Sequence, residues 1–373
     1  MNRVYYVWII SVIFTLVGCT NPNTERPHLE DLGMVGVMGF DYVDEENTKV
    51  TVTLPQPQKD AEEKVQQYST VVKLPHQSIM DVSTLSDKIL TTSQLRVLLF
   101  SEEYSRKMGL WKVLENIYRD PQIGTNVYIA IVKGNVEEIL SANYKDKPEI
   151  NVYLNELLTP REVTAFSPFT TLHHFIYRKT DEVSDPLAPY LEFVNNDSLK
   201  ISKVALFKKD KMIDTIEPDE AKLLEAMRKR RKLPDISIQI PGEKESQKDE
   251  ELAILKFVGT RYHAKVNGDL NNPKIFLHLY VRGSIVDYDG QRTLDTSVKR
   301  EELQEKISER LEEDMINLMK KAQELGIDPI AVGEHFRIKN AAGWSKEKWT
   351  AAFKNAEITA HVETRIISTG TLR

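Results

Sequence analysis

The chain has 373 residues, of which 41% are hydrophobic and 28% charged, and its formal net charge is −6. That composition is globular, with length for two or three domains whose cores need no metal or disulfide. The acidic balance repels phosphate backbones and argues against general nucleic-acid binding. The single cysteine, Cys19, excludes an intrachain disulfide.

The chain opens with Arg3 and an apolar run over residues 4–17 that only Ser11 and Thr15 interrupt. A membrane-spanning helix needs about 20 apolar residues, so this shorter run predicts the core of a signal peptide. It ends in Leu16-Val17-Gly18-Cys19, which resembles the lipobox of bacterial lipoproteins. The resemblance implies a signal peptide over residues 1–18, cleavage before Cys19, and S-diacylglycerol and N-acyl groups on Cys19. Loss of residues 1–18, with Arg3, takes the net charge to −7. Residues 19–28 are polar, carry Pro22 and Pro27, and read as a short lipidated tether.

In the body, the apolar stretch 32–40, the turn 44–47 and the alternating strand 49–54 predict an opening β-hairpin. A Pro-rich, charged stretch covers 55–64. Residues 83–90 read as helix, 94–100 as a buried strand and 102–118 as helix. A second buried strand is expected at 126–133, and a helix begins at 136. This alternation predicts a mixed α/β layer. Residues 149–158 and 172–179 are compatible with helix, although periodicity leaves strand open there. Residues 181–189 read as a loop.

Residues 201–207 and 211–216, around Lys208-Lys209-Asp210, predict a hairpin. Pro218 opens a helix that runs to about Arg228. Long strands follow at 252–266 and 274–287, joined by a turn rich in Asn, Gly and Asp. The clearest helix covers 299–325, with apolar residues stepped by three or four and a stop at Gly326 before Pro329. A short helix at 345–354 and a closing strand at 358–364 complete the chain. The expected class is α+β: a multi-domain mixed α/β protein with largely antiparallel sheets. The division is an N-terminal domain at 29–199 and a C-terminal domain at 200–373.

No catalytic constellation emerges. Gly33, Gly36 and Gly39 form no phosphate-binding pattern, which favours close backbone packing. His173 and His174 lack a spaced ligand partner. Asp287 and Asp289 before Gly290 resemble a fragment of a calcium loop, but its twelfth position is Val298. The basic run at 227–232 reads as a solvated helix end, with contact to anionic headgroups or a subunit as the sharper reading. Trp344 and Trp349 predict core packing of a small helix. His335 has no neighbouring nucleophile. The expectation is no enzymatic activity, no metal and no cofactor.

Several segments together resemble the Ger(x)C family, lipoprotein C subunits of nutrient germinant receptors. They are Leu29-Glu30-Asp31-Leu32, the run from Met34 to Asp41, Lys49-Val50-Thr51-Val52-Thr53, and Leu95-Arg96-Val97 with Ser101-Glu102-Glu103. Arg119-Asp120-Pro121-Gln122-Ile123 and the hairpin from Val204 to Lys211 continue the series. The closing stretch carries Gly326-Ile327-Asp328-Pro329, Gly333-Glu334-His335-Phe336, Trp344, Trp349 and the final strand to Thr369-Gly370. Two positions depart from the family pattern: Thr20 stands where Trp often follows the cysteine, and Val37 replaces a glycine of the first strand. The resemblance implies a Ger(x)C-like fold. It also implies two membrane-embedded partners, a transporter-like subunit and a large multi-pass subunit. The protein would be lipid-anchored to the outer face of the cytoplasmic membrane, in spores the inner spore membrane.

The alternatives are a solute-binding lipoprotein of an importer, which would show two lobes of repeated βαβ units, and a cell-wall enzyme. The antiparallel pairing expected in the C-terminal half fits the importer protein poorly.

Overall fold

The computed structural model describes residues 28–56, 65–75, 77–159, 170–194, 198–242, 250–290, 294, 296–339 and 341–369. The expected signal peptide, Cys19 and residues 20–27 of the tether lie outside the described residues.

The chain enters through a short 3-10 turn, Leu29–Asp31, and β1 (Leu32–Met34). The opening hairpin is β2 (Val37–Tyr42) and β3 (Thr48–Pro55), and β4 (Val65–Val72) pairs with β3. The Asp44 carboxylate closes the hairpin by accepting from the backbone N–H groups of Glu46 and Asn47, both at 2.8 Å. Helix α1 (Gln77–Ser83) leads to β5 (Ile89–Thr91), which pairs in parallel with β1. The helix expected at 83–90 is therefore misplaced. Apolar periodicity there serves α1 and then a strand whose partner lies more than 50 residues earlier.

Next come β6 (Val97–Ser101), α2 (Glu102–Lys107), α3 (Trp111–Arg119) and β7 (Tyr128–Val132). The single helix expected at 102–118 is broken at Gly109, whose φ is +76°. A Cβ there would fall 2.5 Å from the Asp210 carboxylate. Leu110 N–H donates to the Asp210 carbonyl at 2.9 Å and Trp111 N–H to its carboxylate at 3.2 Å. A turn 100 residues downstream thus occupies the break. Helices α4 (Val136–Ser141), α5 (Ile150–Leu158) and α6 (Leu172–Thr180) follow. The two segments left open between helix and strand are both helical.

Strands β8 (Leu187–Val194), β9 (Ser198–Lys208) and β10 (Lys211–Ile216) complete an eight-stranded sheet ordered β10-β9-β8-β7-β6-β2-β3-β4. Its four central strands, β2, β6, β7 and β8, are parallel, and an antiparallel pair flanks them on each side. β8 begins inside the segment read as loop. Its Pro189 precedes the two residues that pair with β7, so the missing N–H breaks no ladder bond on that side. The boundary expected between residues 199 and 200 falls inside β9, and both β9 and β10 belong to this sheet.

Helix α7 (Pro218–Met227) has Pro218 in its first turn and a capping box between Glu217 and Glu220. The C-terminal sheet contains β11 (Lys232–Leu233), β12 (Ile236–Pro241), β13 (Glu250–Asn267), β14 (Lys274–Tyr288) and β15 (Glu357–Ile366). All its pairings are antiparallel except β14 with β15. Parallel neighbours need a long crossover. It is made by α8 (Ser297–Leu325), α9 (Glu334–Lys339) and α10 (Lys346–Lys354).

The buried stripe of α8 is Leu303, Ile307, Leu311, Met315, Leu318, Met319 and Ala322. It packs on the alternate apolar residues of β13 and β14 in one core. Gly326, at φ 65° and ψ 45°, ends the helix in the left-handed conformation.

α8 also shields the free edge of β15. The N–H groups of Val362, Thr364 and Ile366 donate to side chains of Glu312, Ser308 and Gln304 at 2.7, 3.0 and 2.8 Å. Four helical residues rise ~6 Å and two strand residues ~6.6 Å, so the two series stay in step. An edge occupied this way is a poor template for another chain's strand.

Candidate functional site at the junction of the two halves

The most specific residues of the closing stretch converge on one buried knot. Gly326 stops α8, and the chain turns through Ile327 and Asp328. The Asp328 carboxylate accepts from the N–H groups of Val332 and Gly333 at 3.0 and 2.8 Å, and from the Trp349 indole at 3.0 Å. Trp349 is 1% exposed. Its ring lies 5.0 Å from Phe336, 5.9 Å from Trp344 and 5.4 Å from Phe353, centroid to centroid. The expectation that the tryptophans serve core packing agrees with this. Gly333 lies against the indole, where a Cβ would sit 2.4 Å from Nε1. Gly333→Ala is expected to cost about 1–3 kcal/mol through overpacking. Near-UV circular dichroism should report the displaced tryptophan, and an unchanged spectrum with unchanged stability would contradict the packing account.

The knot is tied to the N-terminal half. Asp328 N–H donates to the Asp185 carboxylate at 3.0 Å. Asp185 precedes β8 and is itself buried. Lys346, at the start of α10, reaches the same carboxylate at 3.1 Å and donates to the Ser184 carbonyl at 2.8 Å. Lys208 extends from the β9–β10 turn to the Leu325 carbonyl at 3.4 Å. Burial, with a smaller contribution from the Asp185 charge, pushes the Asp328 carboxyl up to about 6, against its three donors. Two acids with separated environments can signal acid–base catalysis. Here the Asp328 oxygens are already bonded to backbone and indole donors in a fully packed setting, which suits fixing one half against the other.

The remaining marked residues are dispersed. Gly36 and Gly39 lie under Asn151 of α5 and Val136 of α4, so helix–sheet packing accounts for them. Asp41 caps α4, accepting from Val136 and Glu137 N–H at 2.8 and 3.1 Å. His174 contacts the Thr171 hydroxyl at 2.8 Å at the start of α6. Asp289 accepts from Leu252 N–H at 2.6 Å and closes a strand end. Half-buried His335 lies on α9, with its pKa lowered by burial and by the charges of Lys229 and His263. Asp120 of the Arg-Asp-Pro-Gln-Ile segment accepts from Gln122 N–H at 2.9 Å, beside a cleft of about 590 Å³ lined also by Met38, Phe40 and Ile79.

The basic run departs from a simple solvated helix end. Arg228 turns inward and pairs with Glu225 at 3.0 Å, with their side chains 10% and 11% exposed. Arg230 lies 3.9 Å from the same carboxylate. Only Lys229, Arg231 and Lys232 of the run face solvent. Arg178 of α6 shares this environment. Burial and the Arg228 charge push its guanidinium down to about 10. Neither Asp185 nor Glu225 stood out in the sequence, because each is one of several acids in its segment and only its distant partners single it out. Among the described residues no helix is long and apolar enough to cross a membrane.

Comparison with known proteins places this architecture. Residues 25–193 match the family described as "Spore germination protein N-terminal domain", and residues 202–370 match "Spore germination B3/ GerAC like, C-terminal". The chain is 24% identical over 365 residues to spore germination protein GerQC of Bacillus cereus, covering 97% of this chain and 98% of that one. It is 20% identical over 378 residues to spore germination protein B3 of Bacillus subtilis (strain 168), covering 97% and 96%. The crystal structure of the GerBC protein shares the fold, with a TM-score of 0.57, 18% identity and coverage of 88% of this chain and 96% of that one. The chain therefore belongs to the Ger(x)C family of spore germination proteins.

Proposed function

We propose that this protein is the lipid-anchored, non-enzymatic C subunit of a nutrient germinant receptor, required for spores to respond to germinants. The observation that carries the reading is the match of both family regions, in order, across nearly all of the chain behind the lipobox-like segment. Cys19 would carry the S-diacylglycerol and N-acyl groups. Two or more chains anchor stably where one is marginal, at ~0.8 kcal/mol per buried CH₂. The tether of residues 19–28 could reach at most ~35 Å when fully extended. The body would then remain close to the outer face of the cytoplasmic membrane, in spores the inner spore membrane. That confinement raises its effective concentration beside a transporter-like subunit and a large multi-pass subunit. The hydrogen-bonded junction at Asp185, Asp328 and Lys346 suits a part that holds a fixed shape between partners.

The solute-binding alternative calls for two lobes of repeated βαβ units around a cleft. The C-terminal half is instead a largely antiparallel sheet covered by one long helix, which favours the receptor reading.

The test is a strain lacking the gene, with spores scored for nutrient-triggered loss of refractility. At least one nutrient response should be lost, and wild-type expression should restore it. In the same strain Cys19→Ala is expected to move the protein from spore membranes to the soluble fraction and to impair that response by at least 10-fold. Mass spectrometry of the wild-type mature N-terminus should show an acylated cysteine. An unmodified thiol on a soluble product would overturn the anchor, and normal response to every nutrient after deletion of all redundant receptors would overturn the receptor role.

A further inference from the structure

The open face of the C-terminal sheet carries a cluster of exposed side chains able to ligate a metal. Burial alternates along the paired stretch of β14 and β15, so Leu277, Leu279 and Val362 enter the core and His278, His361 and Glu363 face outward. The parallel register sets His278 opposite His361 and Tyr280 opposite Glu363. The imidazole centroids are 5.3 Å apart, with ring planes at 27°. Glu363 Oε1 lies 3.4 Å from His278 Nε2 and 3.9 Å from His361 Nε2. One ligand atom from each residue falls within 4.8 Å of the other two. Zn–N and Zn–O bonds of ~2.0–2.2 Å in a tetrahedron separate ligand atoms by ~3.3 Å, so small side-chain rotations would complete the geometry.

A second observation concerns the direction in which His361 presents its lone pair. Its Nδ1 lies 2.9 Å from Glu312 Oε1 on α8, and the same oxygen accepts Val362 N–H at 2.7 Å. A carboxylate can only accept, so Nδ1 carries a proton toward Glu312, and in the neutral imidazole this leaves Nε2, on the Glu363 side, as the nitrogen able to ligate a metal. This carboxylate–histidine pairing orients and strengthens metal-ligating histidines. Among the described residues the Glu363 carboxylate lies within 4 Å of these two imidazoles, a contact that is an ion pair only when they are protonated. His263, opposite His278 on β13, extends the row to three imidazoles.

We propose that His278 Nε2, His361 Nε2 and Glu363 form a surface site for a transition-metal dication of the zinc class, with Glu312 positioning His361. Two imidazoles and one carboxylate suit that class, and the exposed side leaves room for water or a further ligand. The ion would tie β15 to β14 and, through Glu312, to α8, and so fasten the sheet edge described above.

The experiment uses the full chain, solubilised in detergent and free of any polyhistidine tag, titrated with zinc chloride by isothermal calorimetry and with cobalt(II) by visible absorption. One zinc per chain is expected, together with a cobalt spectrum of low coordination number. His278→Ala and His361→Ala should each abolish stoichiometric binding while leaving far-UV circular dichroism unchanged, since both side chains are exposed. Glu312→Gln should weaken binding about 10- to 100-fold. Absence of stoichiometric zinc binding in the wild-type chain would overturn the proposal. Binding that survives in a His278→Ala/His361→Ala double variant would overturn it equally, by placing the ion elsewhere.

Discussion

Asp328→Ala is expected to destabilise the folded protein by about 3 kcal/mol at pH 7. The substitution strands three buried donors, the N–H groups of Val332 and Gly333 and the Trp349 indole. Each unsatisfied donor costs roughly 2 kcal/mol. Removal of a desolvated charge returns part of this. The rise of the Asp328 carboxyl from 3.8 to about 6 corresponds to roughly 3 kcal/mol at ~1.4 kcal/mol per pK unit. Asp328→Asn keeps one oxygen as acceptor and carries no charge, so it should stay within about 1 kcal/mol of the wild type.

The pH dependence separates the charge effect from the hydrogen bonds. A carboxyl whose folded pKa lies above its unfolded value holds its proton more tightly in the folded state. Its contribution to stability is then complete below about pH 4 and is lost as pH rises through about 6. Carboxylates with lowered pKa, such as Glu102 and Glu137, act in the opposite sense, so the wild-type curve alone mixes both. The stability gap between wild type and Asp328→Asn, followed by calorimetry from pH 4 to 7, isolates Asp328. The gap should move against the wild type as pH rises. A constant gap would show that the group does not titrate in that window.

The second large effect is expected at Glu225. Its carboxylate is the partner of buried Arg228 and the nearest acid to Arg230, and it offsets part of the strain on Arg178. Glu225→Ala leaves a buried guanidinium uncompensated, at a cost of about 3–5 kcal/mol. Adding Arg228→Met should restore most of that loss, because an apolar chain of similar length fills the space without a charge. Urea unfolding of the two variants measures both steps. A loss below about 1 kcal/mol in Glu225→Ala would mean that water reaches Arg228.

Local chemistry made much of the fold legible. The long helix was readable over 299–325 because its apolar spacing and the stop at Gly326 agree, while the Thr296 cap that starts it shows only in the structure. The β2–β3 and β9–β10 hairpins were readable because apolar strand segments flank polar turns. The β13–β14 pairing was readable for the same reason, with Asp269 bonding to the N–H groups of Asn271 and Asn272 in its turn. The segments that misled, or that carried no readable signal, were those whose conformation depends on a remote partner. β5 pairs with β1, the break at Gly109 is filled by Asp210, and β4 is a polar edge strand whose side chains are mostly half-buried.

The same division governs the sites. The order of residues alone determined the lipobox-like N-terminus, the element types of the long segments, and the family signature of the closing stretch. These depend on neighbours a few positions apart. Only the tertiary structure decided that Asp328 meets Asp185 across 143 residues, that Arg228 turns inward, and that His278 and His361 share a row with Glu363. Each of these outcomes depends on strand register or on the packing of one half against the other. A shift of one residue in β15 would turn His361 into the core and scatter the cluster.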